Sequence, residues 1–116
     1  MIAVIFEVWP SDEERREQYL HIAAHLRAEL SHIDGFLSIE RFQSLVEPQK
    51  LLSLSFWRDE EAVKHWRNLP SHRIAQTAGC DGVFENYRLR VSAVLRDYGL
   101  DDRAQAPNDS RVMHNT

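Results

Sequence analysis

Four short runs dense in Ile, Val, Leu and Phe, kept apart by two stretches of helical character, leave this chain few ways to fold. The runs are Met1 to Trp9, Phe36 to Ser44, Lys50 to Arg58 and Phe84 to Leu95, each of strand length and rich in β-branched or aromatic residues. Between the first two, Tyr19, Ile22, Ala23, Leu26, Leu30 and Ile33 recur at about 100° per residue, the stripe of a long amphipathic helix. Between the last two, Ala62, Val63 and Trp66 mark a shorter helix that Leu69-Pro70 interrupts, because the residue before a proline is pushed out of the helical region. A further helical turn is expected from Ser71 to Ala78, ending at Gly79. The boundaries carry their own signals. Pro10 removes a backbone donor and ends the first strand. Ser11, with Glu14 three residues on, reads as a capping box. Asp59 reads as the cap of the second helix, and Asp34-Gly35 supplies a permissive helix exit.

The order is βαββαβ, which implies an α+β, ferredoxin-like fold: a four-stranded antiparallel sheet with two helices on one face. Apolar residues occupy both parities of the middle strands, with Leu37 and Ile39 on one and Phe36 and Phe42 on the other, so both faces of the sheet call for cover. Two helices cover one face. A second copy of the same sheet is the most economical cover for the other, which predicts a homodimer of two sheets packed into a barrel.

At 116 residues the chain suits one core: a domain over residues 1–99 and a polar tail over 100–116, where Pro107 and Asn108 stand in a stretch without apolar periodicity. The net charge of -4, with basic residues scattered, offers no footprint for a nucleic-acid backbone. No stretch approaches the length of a membrane span, and the first strand lacks the basic leader and cleavage site of a signal peptide. The single cysteine, Cys80, has no partner in the chain and is expected as a small buried side chain in a reducing compartment, the cytoplasm.

Chemistry-bearing residues are few. There is no nucleophile elbow, phosphate loop or metal-ligand spacing. His21, His25 and His32 fall in a narrow arc away from the apolar stripe and read as a solvated row, since an i,i+4 pair without a third ligand and a glutamate is not a zinc motif. Trp66 and His72 flank a buried strand on two helical pieces, so that an indole and an imidazole aimed into apolar surroundings would make a pocket for a flat organic molecule. A histidine near its ordinary pKa of ~6.5 can accept a phenolic proton and return it later, although a helix-start histidine is also often only hydrogen-bonded locally. Trp66 reads equally as core or as pocket wall. Arg41, Arg88 and Arg90 lie within expected strands, where a charge needs a partner or a ligand. Ion pairs with Glu7, Glu40 or Glu85, or with a residue across the dimer, are one solution and a substrate carboxylate or phenolate is the other. Ser53, Ser55 and Asn86 are positioned to orient a ligand or to bond a neighbouring strand.

This layout, with the run Phe56-Trp57-Arg58-Asp59-Glu60-Glu61-Ala62, Trp66, His72-Arg73 and Ala75-Gln76, resembles the antibiotic biosynthesis monooxygenase family of dimeric α/β barrels over about Met1 to Gly99. The resemblance implies a cofactor-independent monooxygenase. An electron-rich phenol or hydroquinone would lose a proton and react directly with dioxygen, the co-substrate, in a pocket that excludes water. On those terms His72 and Trp66 are the catalytic candidates; Arg41, Phe56 and Asn86 are the substrate-binding candidates by residue type and place, and no metal or cofactor is expected. Haem-degrading relatives carry an Asn near the end of the first strand and a haem-ligating His beyond the Trp. This chain has Glu7-Val8-Trp9 and Ala75-Gln76 at those places and matches only at Trp66, so haem is not expected. The competing reading is a ligand-binding dimer that keeps the pocket without the chemistry.

Overall fold

In the computed structural model, which describes residues 1–70, 72 and 82–110, the elements follow the expected order. They are β1 (Ile2–Pro10), α1 (Glu13–Leu30), β2 (Phe36–Gln43), β3 (Leu51–Trp57), α2 (Glu60–Arg67) and β4 (Phe84–Ala93). One sheet holds all four strands in the order β2-β3-β1-β4, every neighbour antiparallel, which is the ferredoxin-like arrangement. The two most apolar strands, β1 and β3, take the centre. The strands bearing Glu40 and Arg41 or Arg88 and Arg90 take the edges, where charge blunts pairing with other chains. Val4 stands opposite Ser55 and Val91, and Phe6 opposite Ser53 and Leu89, while Ile39 and Arg41 stand opposite Ser55 and Ser53. With a side-chain period of two, these residues share one face of the sheet, and it is the face on which the helices lie.

The helix boundaries differ from expectation in two places. Asp12, not Ser11, caps α1: its backbone is extended and its side chain accepts from the Arg15 N–H at 2.7 Å. A carboxylate adds charge complementarity to the helix start that a hydroxyl lacks. Ser11 is used elsewhere, its hydroxyl donating to the Gly82 carbonyl at 2.8 Å and its N–H to the Val83 carbonyl at 3.1 Å, which ties the end of β1 to the approach to β4. At the other end α1 stops at Leu30, with Ser31 as C-cap, short of the expected Ile33. The Ile33 N–H then bonds the Leu30 carbonyl at 3.1 Å in a turn that carries the chain to Gly35. Gly35 has φ 92°, a conformation open to glycine. A Cβ there would lie 2.8 Å from the Ala62 Cβ, so the same position also lets α2 approach.

Asp59 caps α2 as expected, accepting from the Ala62 N–H at 3.0 Å. That bond, and the Arg58 guanidinium second, hold the Asp59 carboxyl below the usual carboxylate range. Arg58 also forks onto Asp34 at 3.0 and 3.2 Å, fixing the corner where α1, β2 and α2 meet.

Two apolar clusters sit between sheet and helices. Trp57, fully buried, packs with Val4, Leu30, Ile39, Ala62 and Val63, and its indole N–H donates to the Ser55 hydroxyl at 2.9 Å. Val8, Tyr19, Leu51 and Val83 form the second cluster, with Phe6, Leu20 and Phe84 against it. Beyond β4 the chain folds back on itself over residues 97–110: the Asp97 N–H bonds the Gln105 side chain at 2.9 Å, and Arg103 lies over the Tyr98 ring at 5.0 Å. The turn expected from Ser71 to Ala78, with Gly79, Cys80 and His114, lies outside the described residues, His72 excepted. Among the described residues no helix is long and apolar enough to cross a membrane.

Candidate functional site

A cavity of about 410 Å³ opens between the helix-side face of the sheet and the two helices, within the size range of small-molecule sites. Its floor is built from Val4, Phe6, Ile39, Arg41, Ser53 and Ser55, and its roof from Tyr19, Ile22, Ala23 and Leu26 of α1 and Val63, Trp66 and Arg67 of α2. The hollow has a simple origin. Where β3 runs under the helices it carries two serines in place of large apolar residues, and α1 turns Ala23 toward them, so the close packing normal to an interior is not reached. The third wall comes from Tyr87, Leu89 and Val91. These remain about half exposed; among the described residues α1 packs over β1 and α2 over β3.

Trp66 and His72 meet at one end of this space. Trp66 stacks on the buried Trp57 at 5.1 Å between ring centroids, and the His72 imidazole lies 4.4 Å from the Trp66 ring, tilted by 49°. The same two side chains border a narrow crevice with Leu26, Glu29, Leu30 and Leu69. Nδ1 of His72 is buried and has no hydrogen-bond partner among the described residues, and burial pushes the imidazole pKa below its ordinary value, since a dry site disfavours the charged form. The histidine is therefore neutral at pH 7, with a nitrogen left unengaged. Of the two roles weighed for Trp66, it fills both: half buried against Trp57 on one side, pocket wall on the other.

Arg41 reaches the cavity from β2. Its guanidinium sits 6.0 Å from the Tyr19 ring centroid, and its buried Nε has no hydrogen-bond partner among the described residues. Of the ion pairs weighed for the strand arginines, the described residues hold one: Arg90 pairs with Glu7, which also holds Lys50. Phe56 and Asn86 are not brought to this site. Phe56 stands opposite Ala3, and Asn86 opposite Trp9, one residue out of phase with Ser55 and Tyr87, so the pleat turns both to the other face of the sheet. His21 and His25 are exposed on α1 and His32 in the turn that follows it, and His65 lies exposed near Glu61 at 3.8 Å.

Sequence reasoning had not singled out Arg67, Tyr87, Leu89 or Val91 as cavity residues. The two-residue spacing of the last three puts them on one face of β4, and the tertiary arrangement leaves them about half exposed beside the cavity.

Fold and site together define a ferredoxin-like α+β protein with an apolar, cation-bearing chamber under its helices. A sequence profile described as antibiotic biosynthesis monooxygenase matches residues 1–78, and the chain belongs to that family. It is 50% identical over 94 residues, 81% of this chain and 43% of the relative, to a Pyricularia oryzae protein named jasmonate monooxygenase ABM. It is 31% identical over 62 residues to the uncharacterized Bacillus subtilis protein YqjZ, covering 53% of each. The chain thus spans about half the length of these curated relatives. Among solved structures, a Deinococcus radiodurans protein assigned to the antibiotic biosynthesis monooxygenases superposes with a TM-score of 0.76 at 15% identity, over 85% of this chain and 97% of that one. Rv0793 of Mycobacterium tuberculosis gives 0.74 at 17% identity, over 84% and 98%. At such identities these two speak for the fold.

Proposed function

We propose that this protein is a cofactor-independent monooxygenase that oxidises a small, electron-rich organic molecule with dioxygen inside the cavity, with His72 as the base and Trp66 as the wall against which the substrate ring stacks. The observation that carries the reading is a neutral, half-buried imidazole with an unengaged buried nitrogen, held against two stacked indoles at the edge of an apolar chamber. A base that is uncharged at neutral pH and shielded from water suits proton abstraction from a phenol. Family membership and the jasmonate monooxygenase relative support an oxygenase role, and the relative's name adds jasmonate to the phenols and hydroquinones as a substrate to try.

For a phenol with a free para carbon, the imidazole takes the O–H proton, and the phenolate delivers electrons to dioxygen through that carbon, forming a C–O bond. The imidazolium returns its proton to the resulting peroxide. Loss of the remaining C–H proton then breaks the O–O bond, leaving a carbonyl and releasing water. The sum is phenol plus dioxygen giving quinone plus water, with the substrate supplying all the electrons. The indole N–H of Trp66 is suited to stabilise oxygen-centred charge.

The working unit in this reading is a homodimer, two copies meeting through the sheet face opposite the cavity, in a cytoplasmic setting that suits a chain with one cysteine. The test is oxygen uptake with a panel of hydroquinones, anthrones and jasmonate. Wild-type protein is expected to consume oxygen with at least one of them, and His72→Ala to lose about 100-fold or more in rate, the scale of general base catalysis. Full activity in His72→Ala removes this residue as the base. Binding without uptake across the panel favours a ligand-binding protein, and a Soret band on titration with haem would point to the haem branch instead.

A further inference from the structure

We infer that the cavity selects an apolar molecule bearing one carboxylate, with Arg41 as the group that receives the anion and the reactive part of the molecule directed toward His72. This deepens the oxygenase reading and rests on it for the chemistry, though not for the binding. The charge balance of the chamber points the way. Its described lining contains two arginines, Arg41 and Arg67, and no Asp or Glu, in a chain whose net charge is -4. Arg41 has no ion pair among the described residues, and its buried Nε is unpaired. Its sequence neighbour Glu40 stands opposite Leu54 and so belongs to the other face of the sheet. A guanidinium beside Tyr19, with its Nε buried and no counter-ion among the described residues, leaves a charge and a donor unsatisfied. A planar oxyanion satisfies both, because the guanidinium fork matches a carboxylate with two parallel hydrogen bonds. The hydroxyl of Ser53, directly opposite Arg41 in the ladder, offers a further polar contact on the same floor.

The geometry also orders the ligand. Arg41 lies by Tyr19, in the first half of α1, whereas His72 shares its crevice with Leu26 and Leu30. Seven residues of helix separate Tyr19 from Leu26, about 10 Å at 1.5 Å per residue. Between these ends the wall is apolar: Ile22, Ala23, Leu89 and Val91. A molecule that satisfies both ends has its anion at one extremity and its reactive atoms several bonds away.

The experiment compares 4-phenylbutanoate, its methyl ester and 4-phenylbutylamine for binding to the full chain, read by tryptophan fluorescence and calorimetry under anaerobic conditions. The expected order is acid over ester by about tenfold or more, the scale of one charge-assisted hydrogen-bonded contact, with the amine weakest. Arg41→Met is expected to bind acid and ester alike while its melting temperature and circular dichroism stay near wild type. Arg41→Lys keeps charge but loses the fork, and is expected to retain a reduced preference; it carries the test should Arg41→Met not fold. Equal affinity of wild type for acid and ester, no binding of either, or a preference that survives Arg41→Met overturns the inference. Because no turnover enters the readout, an acid preference without oxygen uptake counts against the oxygenase reading alone.

Discussion

The two faces of the one sheet solve opposite problems with the same four strands. On the helix side, β3 contributes Ser53 and Ser55, the packing is left open, and the Arg41 guanidinium has no counter-ion among the described residues. On the far side, Glu7 lies between Lys50 and Arg90, and these cations, Lys50 first, hold its carboxyl below the usual range against the opposing effect of burial. Trp9 beside it donates to Glu47 at 3.2 Å and receives the Lys50 ammonium over its ring at 4.8 Å. Around this cluster Ile5, Leu52, Leu54 and Phe56 form a half-buried apolar surface. Paired charge within a flat apolar surface is what a second sheet can pack against. Unpaired charge beside a void is what a ligand can fill.

Three perturbations would break or sharpen that contrast. Trp57→Ala, which empties the fully buried centre of the helix-side core, is expected to cost about 3–5 kcal/mol in chemical denaturation. A loss below about 1 kcal/mol would mean that the cavity side carries little of the stability. Leu54→Glu on the far face is expected to halve the mass seen by light scattering while leaving ligand binding in the chamber intact. An unchanged mass would remove this face as the dimer contact. The smallest effect concerns His72. Burial lowers its pKa from the ordinary 6.5, so the neutral base persists as the pH falls past that point, and the acid limb of the rate profile is expected below pH 6.5. The stability sign follows from the same shift. The unfolded chain takes up the proton first, so this histidine's contribution is intact above about pH 6.5 and is lost as the pH drops through the folded pKa. An acid limb at or above 6.5 would place the imidazole in a wetter site.

Much of the architecture was legible because strands and helices announce themselves locally. The stripe of α1 up to Leu30 and the Asp59 cap depend on near neighbours in the chain, and both reappear in the folded molecule. The misplaced cap at Ser11 has a long-range cause, since that hydroxyl is engaged by Gly82, 71 residues away. The site was half legible. Trp66, His72 and Arg41 were candidates by residue type and place. Phe56 and Asn86 were candidates that parity carries to the other face, because a shift of one residue along a strand exchanges the two sides.

What the amino-acid sequence determined by itself was the succession of elements and the face each residue of a strand belongs to, because backbone periodicity and capping are set within a few residues. What only the tertiary structure decided was which of those faces stays hollow and which charge is left without a partner. Those outcomes depend on the volumes and counter-charges that Ser53, Ser55, Ala23, Trp66 and Arg41 meet when segments far apart in the chain come to lie across one another.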